Sequence, residues 1–287
     1  MEERAASIRA SDGASLAYRI SRPPAARHTL VLIHGVASNL TRWSEFVATT
    51  PLSRDWNLLR VDLRGHGESL DRGRIGIDVW CRDIAAVLAA EGIARAVIAG
   101  HCLGANVALW LASREPRIVA GLVLVEPMFR AALHGSLARL SHLRAALVPV
   151  VLVLRALGAL GIYRRRLEPL DLGALDRAAR ASMQASGEFP VERYASMRED
   201  LKSFPLGVFL QDLLAVTAPT PELSTLRVPT LALVSSGGTL SDPDISERYL
   251  ARLPDCRTER VSAKHWIPTE QPEAMRRAIE AFCGRFD

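Results

Sequence analysis

Two periods of hydrophobic and polar residues alternate along this chain. Short apolar runs at 29–33, 96–99, 121–125 and 230–234 have the length of buried strands; 57–63, which carries Arg60 and Asp62, reads as another, and the more polar 257–261 closes the series. Between them lie helix-period segments. The segment 78–90 puts Val79, Ile84, Val87 and Leu88 on one face, and 106–113 and 272–282 read as further helices. At the start, 7–20 reads as a hairpin turning at Asp12-Gly13. Strands that are apolar on both faces, alternating with amphipathic helices, predict an α/β fold with a mostly parallel sheet and helices on both faces.

One long stretch breaks the alternation. From 127 to 229 helical patterns dominate, which predicts a helical cap inserted in a core built from 1–126 and 230–287. Inside it, 145–162 is apolar apart from Arg155 and is interrupted by Pro149. A central charge and a central proline make a poor bilayer span. The expected state is a buried pair of cap helices lining a pocket. The alternative is an interfacial helix with Arg164, Arg165 and Arg166 at its polar edge, a peripheral membrane contact through the cap.

The densest chemistry lies at Gly100-His101-Cys102-Leu103-Gly104, where the apolar strand at 96–99 runs straight into a helix. This is the G-x-S-x-G nucleophile elbow with cysteine in the serine position. A side chain at position 100 or 104 would collide across so sharp a turn. The turn is expected to expose Cys102 at the end of the sheet and at a helix N-terminus, where the partial positive charge favours a thiolate. A base must reach that sulfur. His265, in the loop after the last strand, is placed to do so. His34-Gly35-Val36 ends another strand, so the backbone N–H groups of Val36 and Leu103 are the expected oxyanion-hole donors. His34 itself is expected to brace its loop.

With His34-Gly35, the run Asp62 to Ser69, the elbow around Cys102 and the His265 loop followed by Glu270-Gln271-Pro272-Glu273, the chain resembles the α/β-hydrolase superfamily. The branch is that of small capped esterases, lactonases, dehalogenases and related acyl-transfer enzymes. The resemblance implies acyl chemistry at Cys102 with His265 as base. Two departures matter. Most relatives carry serine at the elbow, and the cysteine of a minority tilts the expectation toward acyl transfer or thioester substrates. The acid that the family places after the strand at 230–234 is replaced here by Gly238 or Thr239. Asp242 is close by, but Asp242-Pro243-Asp244 reads as a helix start with Asp242 as N-cap. Glu126, at the end of the strand at 121–125, is the preferred acid, with Asp242 and Asp244 the alternatives.

Composition narrows the partners. The 287 residues are 49% apolar and carry a formal charge of +5, with basic residues scattered rather than striped, so a nucleic-acid partner is not expected. The four cysteines, Cys81, Cys102, Cys256 and Cys283, show no metal spacing, and no Gly-rich phosphate loop follows the first strand. Neither cofactor nor metal is therefore expected. The charged start, Met1-Glu2-Glu3-Arg4, lacks a following apolar stretch, which with the cysteine pattern points to the cytoplasm. Asp62 and Arg64 are expected to hold a tight turn, Asp83 to be solvated, and Trp43 to pack in the core. The expected function is an acyl-transfer enzyme, hydrolase or acyltransferase, acting through acyl-Cys102 on a small or carrier-bound ester or thioester with an apolar acyl group. The rivals are a ligand-binding protein that keeps the fold without the chemistry, and a lipid-surface protein acting through its cap.

Overall fold

The structure, a computed structural model, describes residues 3–286. Its strands are β1 (Arg4–Arg9), β2 (Ser15–Ser21), β3 (His28–Ile33), β4 (Trp56–Val61), β5 (Ala96–His101), β6 (Val119–Val125), β7 (Thr230–Ser235) and β8 (Cys256–Val261). They form one sheet in the order β1-β2-β4-β3-β5-β6-β7-β8. The β1–β2 hairpin and its pairing with β4 are antiparallel, and every later pairing is parallel. The hairpin expected over 7–20 is this one.

The helices are α1 (Ser44–Thr49), α2 (Ile77–Ala90), α3 (Leu103–Arg114), α4 (Gly135–Ala159), α5 (Leu172–Ser186), α6 (Val191–Tyr194), α7 (Met197–Ser203), α8 (Leu206–Val216), α9 (Pro243–Leu250), α10 (Ile267–Glu270) and α11 (Pro272–Cys283). The continuous apolar runs of the central strands follow from burial on both faces. In β3, Val31 and Ile33 join the cluster under α2 and α3, while Leu30 and Leu32 join the cluster under α1 and α11. In β6, Leu122 and Leu124 go one way and Val123 and Val125 the other. The chain is thus an α/β sandwich with a mostly parallel sheet, as its periodicity predicts.

Two expectations need correction. Asp83 is not solvated. It faces inward from α2 and holds Arg64 through Nε–Oδ2 at 2.9 Å and Nη2–Oδ1 at 2.6 Å. The helical period placed it beside apolar neighbours, but only the fold brought a buried cation to it. The segment 145–162 is not a buried helix pair either. Residues 135–159 form one continuous helix through Pro149, with only Ser141 and Val151 buried. Trp43 is fully buried, and Asp62 accepts from the backbone N–H of Leu40 (2.7 Å) and Glu68 (2.9 Å), as expected of core and turn residues.

The helices between β6 and β7 are tied to the sheet by buried charge. Arg42, beside α1, donates to both carboxylate oxygens of Asp176 on α5 (2.7 and 2.8 Å) and to Thr269 Oγ1 on α10 (2.8 Å). Thr269 and Tyr194 also donate to Asp176, each at 2.9 Å. Elsewhere Asp212 on α8 pairs with the buried His66 at 2.8 Å.

Candidate active site

Every predicted site residue lies at the carboxyl end of a strand, the edge at which open α/β sheets bind ligands. Cys102 follows β5. Val36 follows β3 on one side of β5, and Glu126 follows β6 on the other. Cys102 has φ +53° and ψ −115°, a strained conformation for a side-chain-bearing residue. Its N–H is held by Val125 O at 2.9 Å, which fixes the elbow to the end of β6. The glycine spacing has a direct steric cause. A Cβ on Gly100 would sit 2.2 Å from the Gly104 backbone, and one on Gly104 would sit 2.5 Å from the Ile33 and His34 carbonyls. Helix α3 begins at Leu103, three residues earlier than its apolar pattern suggests, so Cys102 is the N-cap itself.

The elbow does not expose its side chain. Cys102 is 7% accessible, His265 2% and Glu126 3%. Cys102 belongs to the same apolar cluster as Met128, Phe129 and, from α8, Val208 and Val216.

His265 reaches back from beyond β8. The Glu270 carboxylate clamps its loop, accepting from the N–H groups of Lys264 (2.9 Å), His265 (3.2 Å) and Trp266 (3.0 Å). The ring then bonds both predicted partners. Nδ1 lies 2.9 Å from Glu126 Oε2, and the other side of the ring bonds the Cys102 side chain. With Nδ1 committed to Glu126, Nε2 is the nitrogen left for sulfur. Burial by itself would drive the imidazolium pKa down. The hydrogen bonds and negative charges of Cys102 and Glu126 outweigh it and raise His265 to about 10. The protonated ring is therefore the stable form near neutrality.

Glu126 is itself held at φ +54°. Its N–H bonds Leu233 O at 2.9 Å, and its Oε1 accepts from the N–H of Ser235 at the end of β7. The carboxylate that reaches His265 is thus also tied to the end of β7. Asp242 and Asp244 do not reach the histidine. Asp242 caps α9 by accepting from Ile245 N (2.9 Å), and Asp244 pairs with Arg260.

The oxyanion loop abuts the elbow, since a Cβ on Gly35 would meet Cys102 Cβ at 3.2 Å. His34 braces that loop. Its Nδ1 faces Gly35 O at 2.9 Å, and its Nε2 accepts from Leu63 N at 3.0 Å. Full burial pushes its pKa well below the usual imidazole range, which keeps it neutral. Three features escaped the sequence pattern. The Glu270 clamp, Ser235 as a partner of Glu126, and the Arg42–Asp176–Thr269 cluster behind the His265 loop all depend on contacts between distant segments. Glu270 had a local signal in its position just after His265, but a glutamate at a helix start is also an ordinary cap.

A strained strand–turn–helix elbow with a histidine and an acid converging on it at the carboxyl edge of a mostly parallel sheet defines the α/β-hydrolase class. The family model for the alpha/beta hydrolase fold matches residues 28–272, and the chain belongs to that family. Among individual relatives, the chain is similar to esterase YbfF of Escherichia coli (24% identical, covering 88% of this chain and 92% of that one). It is also similar to a mouse sn-1-specific diacylglycerol lipase (21% identical, 93% and 84%). In three dimensions it superposes on a hydrolase from Pseudomonas aeruginosa PA01 with a TM-score of 0.72, at 26% identity and 98% coverage of both chains. An esterase from Thermogutta terrifontis gives 0.71 at 23% identity. The Escherichia coli esterase, the mouse lipase and the Pseudomonas hydrolase support a hydrolase function, and the Thermogutta likeness shows the fold.

Proposed function

We propose that this chain is a cysteine-dependent acyl-transfer enzyme acting on an ester or thioester. The observation that carries the reading is the buried chain Cys102–His265–Glu126 at a strained elbow, with His265 Nδ1 2.9 Å from Glu126 Oε2 and Cys102 as the ring's other partner. In the first step the Cys102 thiolate attacks the acyl carbonyl carbon, and the N–H groups of Val36 and Leu103 stabilise the oxyanion. The tetrahedral adduct collapses with loss of the leaving alkoxide or thiolate, which takes a proton from His265 Nε2. Glu126 holds the ring by Nδ1 throughout. Neutral His265 then takes a proton from water or a second acceptor as that nucleophile attacks the thioester. Cys102 departs as thiolate, and the imidazolium is restored. The apolar cluster that Cys102 shares with Met128, Phe129, Val208 and Val216 supports an apolar acyl group.

The test is a series of p-nitrophenyl esters and acyl thioesters of rising chain length, read by leaving-group release and by intact-protein mass. A burst of about one equivalent, with the acyl mass mapped to Cys102, is expected. Turnover that persists in Cys102→Ala would defeat the reading and leave the ligand-binding alternative ahead. Thiol labelling offers a check without substrate. Burial pushes Cys81 up to about 12 and also raises Cys256. Iodoacetamide at pH 7 is therefore expected to modify Cys102 at least ~10-fold faster than either, an advantage that His265→Ala removes.

The proton on His265 also predicts a pH limb. Since the imidazolium protonates the leaving group, kcat/KM is expected to fall as pH rises through about 10. In Cys102→Ser the negative sulfur is gone, so that limb should move to lower pH. An alkaline limb unchanged by Cys102→Ser would sever the proposed pairing.

A further inference from the structure

From residue 143 onward, helix α4 carries its charges inward and its hydrocarbon outward. Between 143 and 163 the only charged side chains are Arg144 and Arg155, and both are half-buried. Arg144 donates from α4 to the Leu214 carbonyl on α8 and to Thr217 Oγ1 at 3.2 Å, while Arg155 Nε is fully buried. Val151 completes this inner face, which packs on α8. The outer face holds Leu143, Val150, Leu152 (53% accessible), Val153 (58%) and Leu160 (76%). Eight of the eleven large apolar side chains exposed among the described residues fall between 143 and 163. Scattered surface leucines need no explanation, but a concentrated patch of this kind marks an interaction surface.

A basic cluster adjoins the patch. Exposed Arg164, Arg165 and Arg166 follow it directly, and the Arg72 guanidinium lies 4.0 Å over the Tyr163 ring. Only one of these four hydrogen bonds to the protein among the described residues, Arg164 to the Leu201 carbonyl at 2.7 Å. Apolar side chains next to a cationic cluster match the two layers of an anionic lipid surface, acyl boundary and phosphate level. By length and composition α4 passes for a membrane-crossing helix. Crossing would strip it from α8 and leave Arg144 in hydrocarbon without its carbonyl partner, a costly state. Lying flat costs neither contact.

We propose that the outer face of α4 docks in the plane of an anionic lipid membrane, with Leu152 and Val153 among the acyl chains and Arg164 to Arg166 against the phosphates. The surface is separate from the Cys102 site, so the experiment uses the full chain both as it stands and as Cys102→Ala, which removes any dependence on turnover. Co-sedimentation is measured with vesicles of phosphatidylcholine alone and with about one-third phosphatidylglycerol, at low and high salt. Retention on the anionic vesicles that weakens with salt is expected in both proteins. The pair Leu152→Glu/Val153→Glu should cut the bound fraction at least ~10-fold. The triple Arg164→Gln/Arg165→Gln/Arg166→Gln should weaken binding and flatten its salt dependence. All five positions face solvent, and unchanged thermal melting verifies that the variants fold. Protein left in the supernatant with anionic vesicles overturns the proposal, as does equal binding by both variants. A lipid-indifferent dimer that Leu152→Glu/Val153→Glu converts to monomer would assign the patch to a second copy of this chain and overturn it equally.

Discussion

His265→Ala is expected to lower kcat/KM for an activated ester by about 10⁴-fold or more, with the folded structure retained. The size follows from what one ring does here. In the proposed mechanism it stabilises the thiolate, donates the proton that the leaving group needs, and then activates the acceptor. All three roles require Nε2 on Cys102 and Nδ1 on Glu126, 2.9 Å away. Cys102→Ala is expected to cost as much, and the double variant no more than either single, because residues that act as a unit lose their effect together. Glu126→Gln should also lower activity, since its single amide oxygen can keep only one of the two donors, the Ser235 N–H or the protonated Nδ1–H, and the side chain no longer balances the imidazolium. Comparable loss in Asp242→Ala would mean that the acid is misassigned. Multiplicative losses in the double variant would mean that Cys102 and His265 do not form a pair.

The same pairing makes a statement about stability. The pKa of His265 is raised on folding, from an ordinary value of about 6.5 to about 10. Its stabilising contribution is therefore complete below the unfolded value and disappears as pH rises through the folded one. Between those limits the melting temperature of the parent chain should fall toward that of His265→Ala, which has no such slope.

The second large effect concerns the join between helices and sheet. Asp176→Ala is expected to cost about 3–5 kcal/mol, because it leaves the Arg42 guanidinium buried without its carboxylate. At about 2–4 °C per kcal/mol for chains of this size, the melting temperature should drop by roughly 10 °C. Arg42 and Asp176 are both buried, and Thr269 and Tyr194 lose their acceptor too. Because Thr269 lies in α10 with Glu270, the carboxylate that clamps the His265 loop, ester turnover should fall along with stability. Arg42→Met/Asp176→Leu, which removes both charges, should recover much of the melting temperature. A single variant that melts within 2 °C of the parent, roughly one kcal/mol by the same scale, would show that the cluster is not the fastening described.

How much of this was legible beforehand depended on the range of the cause. The elbow was readable because its glycines answer collisions between neighbouring residues, Gly100 against Gly104 and Gly104 against the end of β3. Asp242 could be set aside for an equally local reason, the Asp-Pro helix start that the structure keeps as the cap of α9. Asp83 was misread because its partner Arg64 belongs to a different turn, and no pattern within α2 reveals an incoming cation. Residues 145–162 were misread because a buried helix and an unpartnered one share the same composition. Periodicity reports which residues are apolar, and nothing about what covers them.

The sequence by itself determined the alternation of strand and helix, the strained turn at Cys102, and the short menu of histidine and acids that had to be chosen among. Those features are set by torsional preference, side-chain volume and local hydrogen bonding, which act over a few residues. Tertiary structure decided the rest. It selected Glu126 by bringing β6 beside β7 under the His265 loop, closed the site over Cys102, paired Arg42 with a carboxylate 134 residues away, and left the hydrocarbon face of α4 open. Such outcomes depend on which distant surfaces exclude water from one another, a property that no local stretch of chain encodes.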